Sequence, residues 1–208
     1  MLFRSVALHA RTAEQMYEGK ADWSAIKNLV EHLKPTGVPV LGNGDIWTGA
    51  DAVEMVQQTN CAGVVVGRGC LGRPWLFADL VDAFNGGNNR VLPSLHEVRE
   101  VMFRHGELIV DYFESEDRGC RDLRKHMAWY LKGFRVHSEL RRQFGMVGSL
   151  AELRSLLDQL DDQPYPVEIG EKPRGRTSSG RPPTLPDGWL NDPDEMIHLD
   201  VEDMFSGG

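Results

Sequence analysis

Two short polar stretches of this chain combine residue types that could do chemistry: Asn43-Gly44-Asp45 and Gly67-Arg68-Gly69. In each, glycine lets the backbone turn sharply or approach a ligand closely. Backbone N–H groups freed in this way can point at an anion, and Arg68 adds a permanent positive charge. His9 and Arg11 make a third polar stretch around Ala10. These types suit a phosphate-bearing ligand at the Asn43 and Gly67 stretches, with the His9 imidazole nearby. Each stretch also has a plainer reading. Gly67 and Gly69 serve equally as turn residues, His9 as a strand-end histidine bonded to backbone, and Asp45 as a helix-start residue. The case for a site rests on all of them reaching one place, which depends on the elements that carry them.

Each polar stretch follows a short apolar run. Residues 5–9, 38–41 and 62–66 read as strands, the last β-branched and buried. A helical pattern follows every one. Trp23, Ile26, Leu29, Val30 and Leu33 keep helical spacing over 21–34, which Pro35 and Gly37 end. Thr48 offers an N-cap for a helix over 49–58, and Pro74 opens one running to about 85. Strand, loop and helix in repetition imply parallel strands joined by right-handed crossovers. Parallel strands put their carboxyl ends on one side, where α/β folds hold their ligands. His9, Arg11, Asn43, Asp45, Arg68 and Arg73 then surround a common mouth.

Gly86-Gly87-Asn88-Asn89 breaks the pattern, and a domain boundary is expected there: 1–88 before it, 89–162 after it. The second part reads as helical throughout. Ser94 with Glu97 and Ser149 with Glu152 form capping boxes. Helices are expected to about 114, from about 118 to 134, over 138–144 and from 150, which suggests a small bundle. From Gln163 the prolines recur, the sequence turns acidic, and 163–208 is expected to be a disordered tail on which Trp189, Leu190, Ile197 and Phe205 could still dock.

The chain has 208 residues, a hydrophobic content of 41% and a net charge of −8, so a packed core is possible and a uniformly RNA-binding surface is not. Charge is nonetheless concentrated. Between Arg118 and Arg142 eight cations face two carboxylates, a net of about +6. On a helix running to 134, Arg121, Lys125, Lys132 and Arg135 fall in one stripe with Arg124 at its edge. A solvated basic face is the plain reading; the concentration favours contact with a phosphate backbone, with His126 and Trp129 free to pack or to stack on a base. Cys61, Cys70 and Cys120 form neither a metal-ligand spacing nor a disulfide framework. No apolar run reaches the length of a membrane span and no signal-peptide pattern opens the chain, so a reducing, cytoplasmic setting is expected.

Specific motifs name a chemistry. His9-Ala10-Arg11-Thr12, Tyr17 with Gly19, Asn43-Gly44-Asp45-Ile46, Gly67-Arg68-Gly69 and Gly72-Arg73-Pro74-Trp75-Leu76-Phe77 resemble the tRNA-dihydrouridine synthases. Arg124-Lys125-His126 with Trp129-Tyr130-Leu131 is similar to the helical-domain motif of the bacterial B-type branch. The resemblance runs from residue 2 to about 160 in the family's order. It implies a TIM (β/α)8 barrel binding FMN, a helical domain that helps hold tRNA, and reduction of uridine to 5,6-dihydrouridine with NADPH as reductant. Asn43, Gly44 and Asp45 would bind FMN, Gly67 and Arg68 its phosphate, and His9 would stand near flavin and substrate. Arg11, Arg121, Arg124, Lys125, Lys132 and Arg135 would meet tRNA.

The expected fold class is therefore α/β plus all-α: the last three βα units of such a barrel, a small helical bundle and a tail. The resemblance also implies that the family's general-acid cysteine is absent, since none of the three cysteines matches its motif. A truncated product is expected, inactive alone, with a separately encoded N-terminal half-barrel as one partner. The rival readings are an FMN-dependent barrel oxidoreductase acting on a small molecule and a non-catalytic RNA-binding remnant.

Overall fold

The computed structural model describes residues 4–175 and Thr184. Strands β1 (Val6–His9), β2 (Val40–Asn43) and β3 (Gly63–Val65) form a parallel sheet in the order β1-β2-β3. The register sets His9 opposite Asn43 and Asn43 opposite Val65, so one row of residues ends all the strands. Helices α1 (Trp23–Leu33), α2 (Gly49–Thr59) and α3 (Leu76–Phe84) follow the strands in turn.

Local chemistry sets these boundaries. The Asp22 carboxylate accepts from the Ser24 amide and caps α1. Thr48 and Asp51 cap each other's backbone at the head of α2, and Asn60 closes that helix in the left-handed region. Ile26, Val40, Ala52, Met55, Leu76 and Leu80 are buried together between helices and sheet. A Cβ on Gly42 would stand 2.5 Å from Met55 Sδ, so the seat of α2 against β2 requires glycine there. Side chains alternate across a strand. Leu8, Val40 and Val64 join the helix-side core, whereas His9 and Val65 are exposed on the other face.

A second core lies among α4 (Leu95–Phe113), α5 (Glu116–Tyr130), α6 (Ser138–Phe144) and α7 (Leu150–Leu157). Val98, Met102, Leu123, Met127, Phe144, Leu153 and Leu157 fill it, on the apolar faces that the helical spacing indicated. The expected capping box at α4 forms, with Ser94 and Glu97 bonding reciprocally; at α7 only half of the expected box does, since Ser149 accepts from the Glu152 amide while the Glu152 carboxylate accepts from the Gly148 amide at 2.8 Å.

Two expectations are corrected. The helix expected over 118–134 runs from Glu116 to Tyr130 instead. Its end is pressed against Gly72, and Gly133 follows at φ +86°. Lys132 and Arg135 therefore lie beyond the helix, and the four-residue stripe on one helical face does not form. The loss of order expected from Gln163 also fails over residues 163–175. Tyr165 packs edge-on against Trp75 and Phe134, with ring centroids 5.9 and 6.0 Å away. Gln163 exchanges hydrogen bonds with the Arg135 backbone at 2.9 and 3.0 Å, and a short helix α8 (Val167–Gly170) follows. The rest of the expected tail, including Trp189, Leu190, Ile197 and Phe205, lies outside the described residues. No described helix is long and apolar enough to cross a membrane.

Candidate functional site

The loops at the carboxyl ends of the strands converge, as the βα repetition required. Asn43 sits at the centre. Its amide nitrogen donates to the Val65 carbonyl at 2.6 Å, and its amide oxygen meets His9 Nδ1. One side chain thus ties the ends of all the strands together. With a carbonyl oxygen as its partner, Nδ1 carries the proton, a tautomer inferred from the bonding. His9 Nε2 is then left for a ligand on the exposed face.

Asp45 lies one turn further along, in the left-handed region at φ 55°. Its carboxylate accepts from Arg11 at 2.7 Å, from the Ala21 amide at 2.8 Å and from Arg68 at 3.3 Å. Arg11 is almost wholly enclosed, its side chain 2% exposed, and also donates to the Glu18 and Gly19 carbonyls. The structure therefore places Arg11 beneath the loop, not on a surface that tRNA could reach. Arg68 stands above, 4.2 Å from the Tyr17 ring centroid and 5.1 Å from that of Trp47. Burial pulls the Arg68 guanidinium below its ordinary value and Asp45 opposes that shift, so it stays charged.

A cavity of about 140 Å³ opens between His9, Tyr17, Asn43, Gly67 and Arg68. That is below the roughly 300–1,000 Å³ of sites that enclose a drug-sized ligand, so it accommodates one end of a larger molecule. A Cβ at Gly67 would meet only Asn43 Nδ2, 4.0 Å away, so a ligand has open access to this backbone. Beside the cavity, a groove of about 700 Å³ has a lining of mixed charge, with Lys20 and Arg68 as well as Asp22, Asp51 and Glu54.

All of the residues expected to hold a cofactor, His9, Asn43, Gly44, Asp45, Gly67 and Arg68, line this cavity. Tyr17 and Trp47 were not expected as ring partners of Arg68. Tyr17 stood in the recognised motif and Trp47 in the loop itself, so position was the available signal. The cysteines stand elsewhere. Cys61 is buried and its thiol donates to the Gly63 carbonyl at 3.2 Å. The Cys70 thiol donates to the Gly67 carbonyl at 3.1 Å, and burial pushes its pKa up. Cys120 is buried in the helical core region, where burial pushes its thiol up as well.

The expected tRNA residues divide into two groups. Arg121 and Lys125 are exposed on α5, each paired with a carboxylate of its own helix, Asp117 at 3.0 Å and Asp122 at 2.5 Å. Such surface pairs are weak and exchange readily for a phosphate. Arg135 is exposed. Arg124 instead donates to the Val147 carbonyl at 2.8 Å, and Lys132 to the carbonyls of Lys172 and Pro173 at 2.8 and 2.7 Å. Those two stitch the fold.

His126 packs between His105 and Trp129, with ring centroids 4.8 and 5.1 Å away. Burial first, then His105 and Lys125, push its pKa down to about 4. The imidazole is therefore neutral in the fold and takes a proton more easily when unfolded. Stability from this group is complete above the unfolded value near 6.5 and is lost as pH falls from there towards about 4. Allowing for partial solvation, the loss is expected to be on the order of 2 kcal/mol. Urea melts at pH 7.5, 6 and 4.5 should show it, and His126→Gln should flatten that part of the dependence. An unchanged slope in the variant would show that other groups carry it.

The site and fold now define a class. The family described as Dihydrouridine synthase (Dus) matches residues 3–164, and the chain belongs to that family. A "Probable tRNA-dihydrouridine synthase" of Mycobacterium leprae is 51% identical over 207 residues, covering 98% of this chain and 53% of its own length. One of Rickettsia bellii with the same description is 39% identical over 136 residues, 65% of this chain and 40% of its own. A "tRNA-dihydrouridine synthase B" of Pasteurella multocida is 33% identical over 144 residues, 69% of this chain and 42% of its own. The chain spans about half the length of the curated relatives it matches.

Proposed function

We propose that this chain carries the phosphate end of an FMN site and the RNA-facing helical unit of a tRNA-dihydrouridine synthase, which reduces uridine in tRNA to 5,6-dihydrouridine with NADPH as reductant. The supporting observation is the convergence of His9, Asn43, Gly67 and Arg68 on one cavity at the carboxyl ends of parallel strands, in a member of this family. The donor set fits the group: an open glycine backbone and a guanidinium suit a phosphate. When bound, FMN supplies the hydride chemistry. The chain's own residues bind and orient. Arg68 and the Gly67 backbone would hold the phosphate, Asn43 keeps the strand ends in register, and His9 would contact the bound group from the strand end. Asp45 fixes Arg68 from below. Arg121, Lys125 and Arg135 position the RNA by its backbone. No proton donor is assigned to Cys61, Cys70 or Cys120. A cytoplasmic setting, suggested by free thiols and a tRNA substrate, is part of the same reading.

FMN fluorescence tests this reading. Titrating the chain into FMN is expected to quench its emission, and inorganic phosphate is expected to compete. Asn43→Ala combined with Arg68→Ala should weaken the interaction at least about tenfold, the effect of losing a charge-assisted contact. Circular dichroism checks that the double variant is folded. No quenching by the native chain, or equal quenching by the folded double variant, removes the FMN assignment.

A further inference from the structure

The segment after Gln163 does more than trail from the helical unit. Arg174 is 5% exposed. Its guanidinium donates to the Leu71 carbonyl at 2.8 Å, to the Trp129 carbonyl at 3.3 Å and to the Gly170 carbonyl. Leu71 closes the turn that begins at Arg68, and Trp129 belongs to the last turn of α5. A helix C-terminus offers unpaired carbonyls and a partial negative charge, which a guanidinium satisfies. Arg174 therefore pins the Arg68 turn to the end of α5.

The next residue acts on Arg68 itself. A Cβ on Gly175 would lie 3.1 Å from both Cγ and Cδ of Arg68 and 3.5 Å from Leu71 Cδ1. The Gly175 backbone thus backs the aliphatic stem whose guanidinium lies over Tyr17 and Trp47. Glu171 completes the brace. It pairs with Arg90 and lies 3.8 Å from Arg73, which donates to the Trp47 carbonyl at 3.0 Å. Arg73 also faces Asp79 at 3.6 Å. One strap, residues 163–175, reaches both walls of the Arg68 seat.

We infer that residues 163–175 are a positioning strap for the anion site, with Arg174 as the positioning residue that holds the Arg68 guanidinium in place. The strap sets where the positive charge stands, whatever anion is bound. It makes the helical unit and the site interdependent: the carbonyl at the end of α5 and the turn that carries Arg68 share one buried cation.

The test reads Arg68 directly in the ligand-free chain. Its Nε–H gives a nitrogen-15 cross-peak, assigned by its disappearance in Arg68→Lys. In the native chain, stacking on Tyr17 should shift this peak and slow its exchange with water. In Arg174→Gln, with the sheet amides unchanged, the peak should move to the free-arginine position and exchange at least tenfold faster. Arg174→Lys, which keeps a cation and several donors, should restore part of the shift. A purely structural Arg174 would lower the melting temperature and leave the peak in place, and that result in the folded variant overturns the inference. Should Arg174→Gln fail to fold, Gly175→Ala addresses the same point, since at φ +87° its methyl strains the strap and presses on the Arg68 stem from 3.1 Å, so either response disturbs the contact. An unmoved Arg68 peak in Gly175→Ala overturns it equally. Because no ligand is present, failure of the FMN titration would leave this result standing.

Discussion

Asp45→Ala is expected to destabilise the chain by about 3–5 kcal/mol, the usual effect of breaking a buried ion pair by removing one partner. Its carboxylate faces Arg11 at 2.7 Å, and that arginine's side chain is only 2% exposed. Removing the carboxylate leaves the Arg11 charge enclosed, with the Glu18 and Gly19 carbonyls as partial compensation. It also frees the Ala21 amide and unties Arg68. Position 45 stands at φ 55°, which alanine tolerates poorly and asparagine tolerates well. Asp45→Asn therefore isolates the charge from the backbone strain and should fall between the two. For a chain of this size the alanine variant should lose on the order of 10 °C in melting temperature, read by calorimetry. A loss below about 1 kcal/mol would mean that water, not Asp45, solvates Arg11.

The junction between the sheet unit and the helical unit should be equally sensitive. Gly72→Val is expected to lower stability by about 2–5 kcal/mol, from left-handed backbone strain of about 1–2 and overpacking of about 1–3. Gly72 has φ +61°, and a Cβ there would stand 2.4 Å from the Trp129 carbonyl carbon and the Tyr130 nitrogen. These are backbone atoms, which cannot rotate aside as a side chain would. Gly86→Val is the matched control. It has φ +81° with nothing within 4 Å of the added Cβ, so it should show the strain alone, about 1–2 kcal/mol. Equal melting temperatures for the two variants would mean that the Gly72 contact with α5 contributes nothing.

Local signals determined a good part of this protein. Short apolar runs marked β1, β2 and β3, and the capping residues Thr48, Ser94 and Ser149 marked where helices start, because capping depends on neighbours within a few residues. The same repetition placed His9, Asn43, Asp45, Gly67 and Arg68 at one mouth, since parallel strands leave no other choice. Charge, however, has no direction in a sequence. Arg11, Lys132 and Arg124 carry the same guanidinium or ammonium groups as Arg121 and Arg135, and only packing decided which turn inward to carbonyls and carboxylates. The end of α5 at Tyr130 packs against Gly72, a residue far away in the chain, a contact that no local signal announces. Arg174 is the extreme case. It sits among prolines and glycines that signal no element, and its partners at Leu71 and Trp129 lie 103 and 45 positions earlier. Hydrogen bonds over such separations exist only once both cores have formed, so the tertiary structure alone could make that segment part of the site.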